Sequence, residues 1–147
     1  MKKLFSLIAI GALSLNFISC KDDDDSGKSL DEKIVGTWKL EKTVYQEQGY
    51  ADEVEYPNDC EKKSSTTFNK DKTYKNDEYY NDYQTNKCLN DVYGGVYKIE
   101  NGNLHVIDDE TIFKIQEITT NKMVLVLEED ENGDGKIDYK TIATFIK

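Results

Sequence analysis

The chain has 147 residues, enough for one domain and too few for two. It carries 29 acidic residues against 19 basic ones, a formal net charge of −10, and every basic residue is a lysine. Bidentate contacts to phosphates and base edges rely mainly on arginine, and an acidic surface repels polyanions, so nucleic acid is excluded as a partner.

Lys2 and Lys3 form a positive n-region, Leu4 to Ile18 form a short apolar stretch, and Ser19 places a small residue before Cys20. A membrane span needs about 20 apolar residues. This stretch is shorter and interrupted by Ser6, Ser14 and Asn16, which favours a cleaved signal over a retained helix. The junction resembles the lipobox of bacterial lipoproteins, with Phe17 and Ile18 replacing the leucine and small residue common there. That resemblance implies cleavage before Cys20, acylation of its thiol and anchoring in a membrane; a secretory signal with an incidental cysteine is the plainer alternative. Lys21 and the run Asp22 to Asp25 resemble the lysine-plus-acidic signal that sends certain Gram-negative lipoproteins across the outer membrane to the cell surface. Otherwise the run is a solvated, self-repelling spacer. The expectation is a signal peptide over 1–19, a lipidated cysteine and acidic tether over 20–33, and a folded domain over 34–147, held at the outer membrane facing the exterior. Loss of Lys2 and Lys3 takes the net charge from −10 to −12.

A short helical or turn-like segment over Leu30 to Val35 leads into a pattern of antiparallel sheet. Proline occurs only at Pro57, and β-branched and aromatic residues alternate with polar ones between turn signals. The candidate strands are 36–45, 64–69, 73–80, 93–100, 103–108, 110–118, 122–130 and 138–146. In the first, Trp38, Leu40 and Val44 are expected on one face and Thr37, Lys39, Glu41 and Thr43 on the other. Tyr97 and Ile99 should pair with Leu104 and Val106 across Asn101-Gly102, a type I′ turn signal. Short connections after residue 64 make a meander of hairpins, and eight strands with one apolar face each remove their edges by closing into a small barrel. The exceptions are two polar stretches, 46–63 and 81–92. They hold Cys60 and Cys88, an even pair in an exported chain, for which a disulfide is the default. A metal or redox role is the weaker reading, since two distant thiols with one histidine make a poor zinc site.

Asp130, Asn132, Asp134, Lys136 (through its carbonyl) and Asp138 match the first nine positions of a calcium loop of the EF-hand kind, with Gly135 at the sharp turn. Thr141 stands where a bidentate glutamate belongs, and the flanks read as strands, so a plain hairpin loop rich in Asx and Gly competes with a weak calcium site. Calcium is the only cofactor the sequence suggests. Of the ten tyrosines, Tyr79, Tyr80, Tyr83 and Tyr93 cluster near Cys88. A tyrosine offers a flat apolar face and a polar tip, which suits ligand capture at a barrel mouth and equally suits half-buried strands.

Gly36-Thr37-Trp38-Lys39-Leu40, Cys60, Phe68-Asn69-Lys70-Asp71-Lys72-Thr73-Tyr74, Cys88, Gly95-Val96-Tyr97-Lys98-Ile99, Asn103-Leu104 and Ile118-Thr119, in that order, resemble a lipocalin-like domain of bacterial lipoproteins. The resemblance covers about residues 33–147 and implies an all-β, eight-stranded antiparallel barrel. Two departures stand out. Lys72 occupies a position usually held by glycine, and no arginine exists to cover Trp38 as in true lipocalins, so Lys140 or Lys147 would substitute. Trp38 itself reads more readily as a core plug than as a ligand platform.

Catalysis finds little support. His105 alternates with Leu104 and Val106 and should face solvent, no serine sits in a nucleophile elbow, and carboxylates are abundant without forming a recognisable pair. The chain is expected to be a monomer and not an enzyme. Two functions remain: a binding module for a small molecule, glycan or peptide, or an interaction or inhibitor protein with a filled barrel acting through its outer face. An eight-stranded barrel can be filled or can hold one small ligand.

Overall fold

The computed structural model describes residues 27–147; the signal segment, Cys20 and Asp22 to Asp25 lie outside the described residues. A short helix α1 (Leu30–Ile34) precedes nine strands: β1 (Gly36–Glu47), β2 (Glu53–Glu55), β3 (Ser65–Phe68), β4 (Thr73–Asn81), β5 (Cys88–Glu100), β6 (Asn103–Val106), β7 (Thr111–Ile118), β8 (Lys122–Glu129) and β9 (Tyr139–Ile146). All pairings are antiparallel, sequence neighbours pair from β3 through β9, and β9 returns to β1 with Leu40 opposite Phe145 and Tyr45 opposite Thr141. β3 pairs with Gly36 to Trp38, while β2 pairs with Thr43 to Tyr45. β2 and β3 therefore share one edge of β1, and the barrel has eight staves. It is a closed all-β barrel, as the alternation anticipated.

The chain enters through α1, where Ser29 and Glu32 form a reciprocal capping box. Ile34, fully buried, plugs one end of the barrel and accepts a 2.6 Å hydrogen bond from Trp38 Nε1. Around this plug pack Phe68, Tyr97, Leu104, Ile118, Met123 and Leu125. Phe68 meets Tyr97 edge to face with ring centres 5.0 Å apart.

Of the two lysines expected to cover Trp38, Lys147 does so. Its Nζ lies 4.3 Å from the centre of the Trp38 ring and donates to the carbonyls of Val35, at 2.9 Å, and Lys33, at 3.2 Å. Gly36, at φ +130°, leaves the room: a β-carbon there would press on Lys147 Cε at 3.0 Å. Lys140 is elsewhere, paired with Glu128 at 2.8 Å. Lys72 adopts φ 69°, a left-handed conformation costing a non-glycine residue roughly 1 kcal/mol. Its ammonium pairs with Asp31 of α1 and lies 5.5 Å from the centre of the Tyr97 ring, so it ties the helix to the turn. Asn101 and Gly102, at φ 53° and 78°, form the anticipated type I′ turn, with Tyr97 opposite Val106 and Ile99 opposite Leu104.

Three expectations change. A β-bulge lies between Leu40 and Lys42, and the extra residue inverts the facing beyond it. Thr43 and Tyr45 thereby join Trp38 and Leu40 in the lumen, and Val44 turns outward between Val54 and Ile142. The stretch 81–92 is a hairpin end and not an open loop, because β4 and β5 stay paired out to Asn81 and Cys88 around a turn at 82–87. That arm is exposed on both faces, so polar residues mix with the exposed Leu89 and Val92 and carry no alternation. The third is β2, too short and too polar to stand out from the 46–63 connection.

Candidate ligand-binding site

The end opposite α1 gathers the β1–β3 connection, the β4–β5 hairpin and the loops preceding β7 and β9. Cys60 and Cys88 are joined across it, with Cα atoms 5.6 Å apart. The bond pins the connection after β2 to the first residue of β5. Asn58 starts this connection by accepting from the backbone of Cys60 and Glu61, and the Glu61 carboxylate accepts from Asn58 N at 2.9 Å.

Two cavities lie inside. The inner one, about 220 Å³, is walled by apolar side chains that include Phe68, Leu104, Phe113, Met123 and Leu125. The outer one, about 380 Å³, reaches the mouth and is bounded by Leu40, Thr43, Tyr45, Glu55, Glu78 and Tyr80 among others. Thr66, Asn76 and Phe145 border both. Along this shared wall runs a directed chain of hydrogen bonds. Thr66 Oγ1 donates to Asn76 Oδ1 at 2.5 Å, Asn76 Nδ2 to Tyr93 Oη at 2.5 Å, and Tyr93 Oη to Glu78 Oε2 at 3.0 Å. Across the outer cavity Tyr45 Oη donates to Glu55 Oε2 at 3.0 Å.

Burial and neighbouring carboxylates act together on the phenols. Burial pushes Tyr45 and Tyr93 above the ordinary tyrosine value, assisted by Glu55 and Glu78 respectively. Tyr80 is raised first by the charge of Asp91. Tyr74, facing the inner cavity, is raised by burial and then by Asp109 and Asp108. Asp108 caps this side of the mouth by accepting from Val96 N at 2.9 Å, and a β-carbon at Gly95 would collide with its carboxylate.

Of the tyrosines singled out from the sequence, Tyr79 and Tyr80 border the outer cavity and Tyr93 the inner one. Tyr83 is 98% exposed at the tip of the β4–β5 hairpin and borders neither. The Tyr79 ring carries Lys63 Nζ 5.8 Å from its centre. Sequence reading missed Thr43, Tyr45, Glu55, Asn76 and Glu78. For Asn76 and Glu78 the signal is the period-2 row Tyr74, Asn76, Glu78, Tyr80, which looks like a solvent-facing row because the lumen it lines is polar.

The Asp130 to Asp138 loop forms part of the same rim. Asp130 accepts from the backbone of Gly133 at 2.7 Å, Asp134 at 3.2 Å and Gly135 at 2.8 Å. Asn132 accepts from Asp134 N, Asp134 from Lys136 N, and Asp138 from Glu131 N. These bonds make the turn self-supporting. Lys136 Nζ sits 3.8 Å from Asp134 Oδ2. Among the described residues no group of three or more His, Cys, Asp or Glu side chains is arranged to hold a metal ion. His105 lies on the outer row between Lys98 and Ile112.

Comparison with known proteins adds to this geometry. Among solved structures, the bovine lipocalin allergen Bos d 2 is similar over 81% of this chain and 75% of its own, at 16% identity and a TM-score of 0.43. No curated protein matches the chain. The model of the lipocalin-like domain family matches residues 34–125, more than half of the sequence, and the chain belongs to that family.

Proposed function

We propose that this protein is a lipid-anchored binding module of the outer membrane, displayed toward the cell exterior through Cys20 and the acidic tether, whose barrel lumen captures a small molecule. The observation that carries the binding function is the pair of adjoining cavities behind a disulfide-pinned mouth. The outer one alone falls within the ~300–1,000 Å³ range of small-ligand sites. A filled barrel working only through its outer face leaves this lumen unexplained. The anchoring half of the reading rests on the signal-to-cysteine junction and the Asp22 to Asp25 run.

A native mass spectrum of the protein purified from its host tests both halves. The reading expects cleavage before Cys20, added acyl mass, two hydrogens fewer for the disulfide, and a released small molecule. Unlipidated chain in the soluble fraction contradicts the anchor. A ligand-free spectrum, together with no uptake from the host's small-molecule extract, contradicts the binding role.

A further inference from the structure

The two chambers differ in chemistry, and the difference specifies a ligand. Glu55, Glu61 and Glu78 border the outer cavity, while no lysine, arginine or histidine borders either cavity. The hydrogen bonds to Glu55 and Glu78 from tyrosines engage Oε2 of each, leaving Oε1 without a hydrogen-bond partner among the described residues. Thr43 lines the same cavity at 8% exposure, and its hydroxyl has no hydrogen-bond partner among the described residues. A buried, unpartnered hydroxyl is costly unless something that enters the cavity satisfies it.

We propose that the lumen binds an organic amine with an aryl or alkyl tail, its ammonium held in the outer chamber by Glu55 and Glu78 and its tail in the inner one. This rests on the reading of the lumen as the ligand site. Glu55 and Glu78 are exposed at the rim of the outer cavity, where their negative field concentrates cations at the mouth. The rings of Tyr45 and Tyr80 add faces that attract a desolvated ammonium. An anionic ligand meets repulsion, and a neutral one gains nothing from the charge of the carboxylates. A divalent metal is disfavoured because the carboxylates are not grouped to coordinate one. Beyond the Thr66–Asn76–Phe145 wall the apolar chamber receives what remains of the molecule, by ordinary hydrophobic burial.

The test is a titration of the intact chain in detergent micelles, followed by amide chemical shifts, with 2-phenylethylamine, 2-phenylethanol and 3-phenylpropanoate. The amine should shift lumen resonances and bind at least about tenfold more tightly than the alcohol, roughly 1.4 kcal/mol, with the carboxylate weakest. Glu55→Gln with Glu78→Gln should remove that preference while leaving alcohol binding and the far-ultraviolet circular dichroism unchanged. Equal binding of amine and alcohol, or tightest binding of the carboxylate, overturns the amine assignment and leaves the lumen as a site. Lumen resonances unmoved by all three compounds overturn the lumen reading itself.

Discussion

The two ends of the barrel are built from the same alternating strands and do opposite things. At the α1 end the inward residues are large and apolar, a helix residue plugs the opening, and Lys147 covers Trp38. At the other end inward positions pass to Thr43, Tyr45, Asn76 and Glu78, and the surrounding segments are tied by a disulfide and by loops that satisfy their own backbone. Sheet geometry alone does not decide whether a small barrel is solid or hollow. The chemistry of a few inward positions decides it, end by end.

Truncation at the packed end should give the largest effect. Trp38→Ala empties the floor beneath Lys147 and breaks the bond to Ile34, and is expected to cost about 3–5 kcal/mol in urea unfolding. A loss below about 1 kcal/mol would mean that this end is not the stability centre.

Opening the bridge acts on the mouth through the unfolded chain. With a sequence separation of 28 residues between the cysteines, Cys60→Ser with Cys88→Ser should lower stability by about 3–4 kcal/mol and leave the circular dichroism of the sheet intact. Thiol labelling of both cysteines in the non-reduced protein would remove the basis for a pinned mouth.

Lysine position sharpens the comparison further. Lys147→Met keeps the stem and removes the ammonium over Trp38, for an expected loss of about 1 kcal/mol. Lys140→Met removes only an exposed pair with Glu128 and should fall within about 0–1 kcal/mol. Equal effects from the two would deny Lys147 its role in closing the packed end.

The rim loop should respond far less than the tryptophan or the bridge. Asp130→Ala strips the N–H groups of Gly133 and Gly135 of their acceptor, while Asp134 N keeps Asn132 Oδ1, and should cost about 1 kcal/mol in buffer containing chelator. A self-supporting turn gives no saturable rise in melting temperature with millimolar calcium beyond that of sodium chloride at equal ionic strength. A saturable rise lost in Asp134→Ala would reassign Asp130 to Asp138 as a calcium loop.

The packed end was more legible in sequence than the open one, for physical reasons. Trp38, Phe68, Tyr97 and Leu104 announce themselves because an apolar core requires apolar residues at strict alternation. Asn101-Gly102 announces a turn because few residues tolerate two successive positive φ angles. The open end breaks both kinds of signal. The bulge after Leu40 is a backbone event that no single residue type marks, and it moved Thr43 inward and Val44 outward. Glu78 and Asn76 line a polar lumen and so resemble solvent-facing positions. Glu55 belongs to a strand of three residues, held by β1 and not by its own propensity. Of the tyrosine cluster near Cys88, Tyr79, Tyr80 and Tyr93 border the cavities, while Tyr45, contributed by β1, carried no local hint.

Native-state hydrogen exchange tests the difference between the two ends most directly, since it reads the opening energy of each amide in turn. The account predicts that amides of Trp38, Phe68, Tyr97 and Met123 exchange only through global unfolding. Those of β2, of Tyr79 to Asn81 and of Cys88 to Asn90 should exchange through smaller local openings. Uniform protection along β1, β4 and β5 from one end to the other would contradict it.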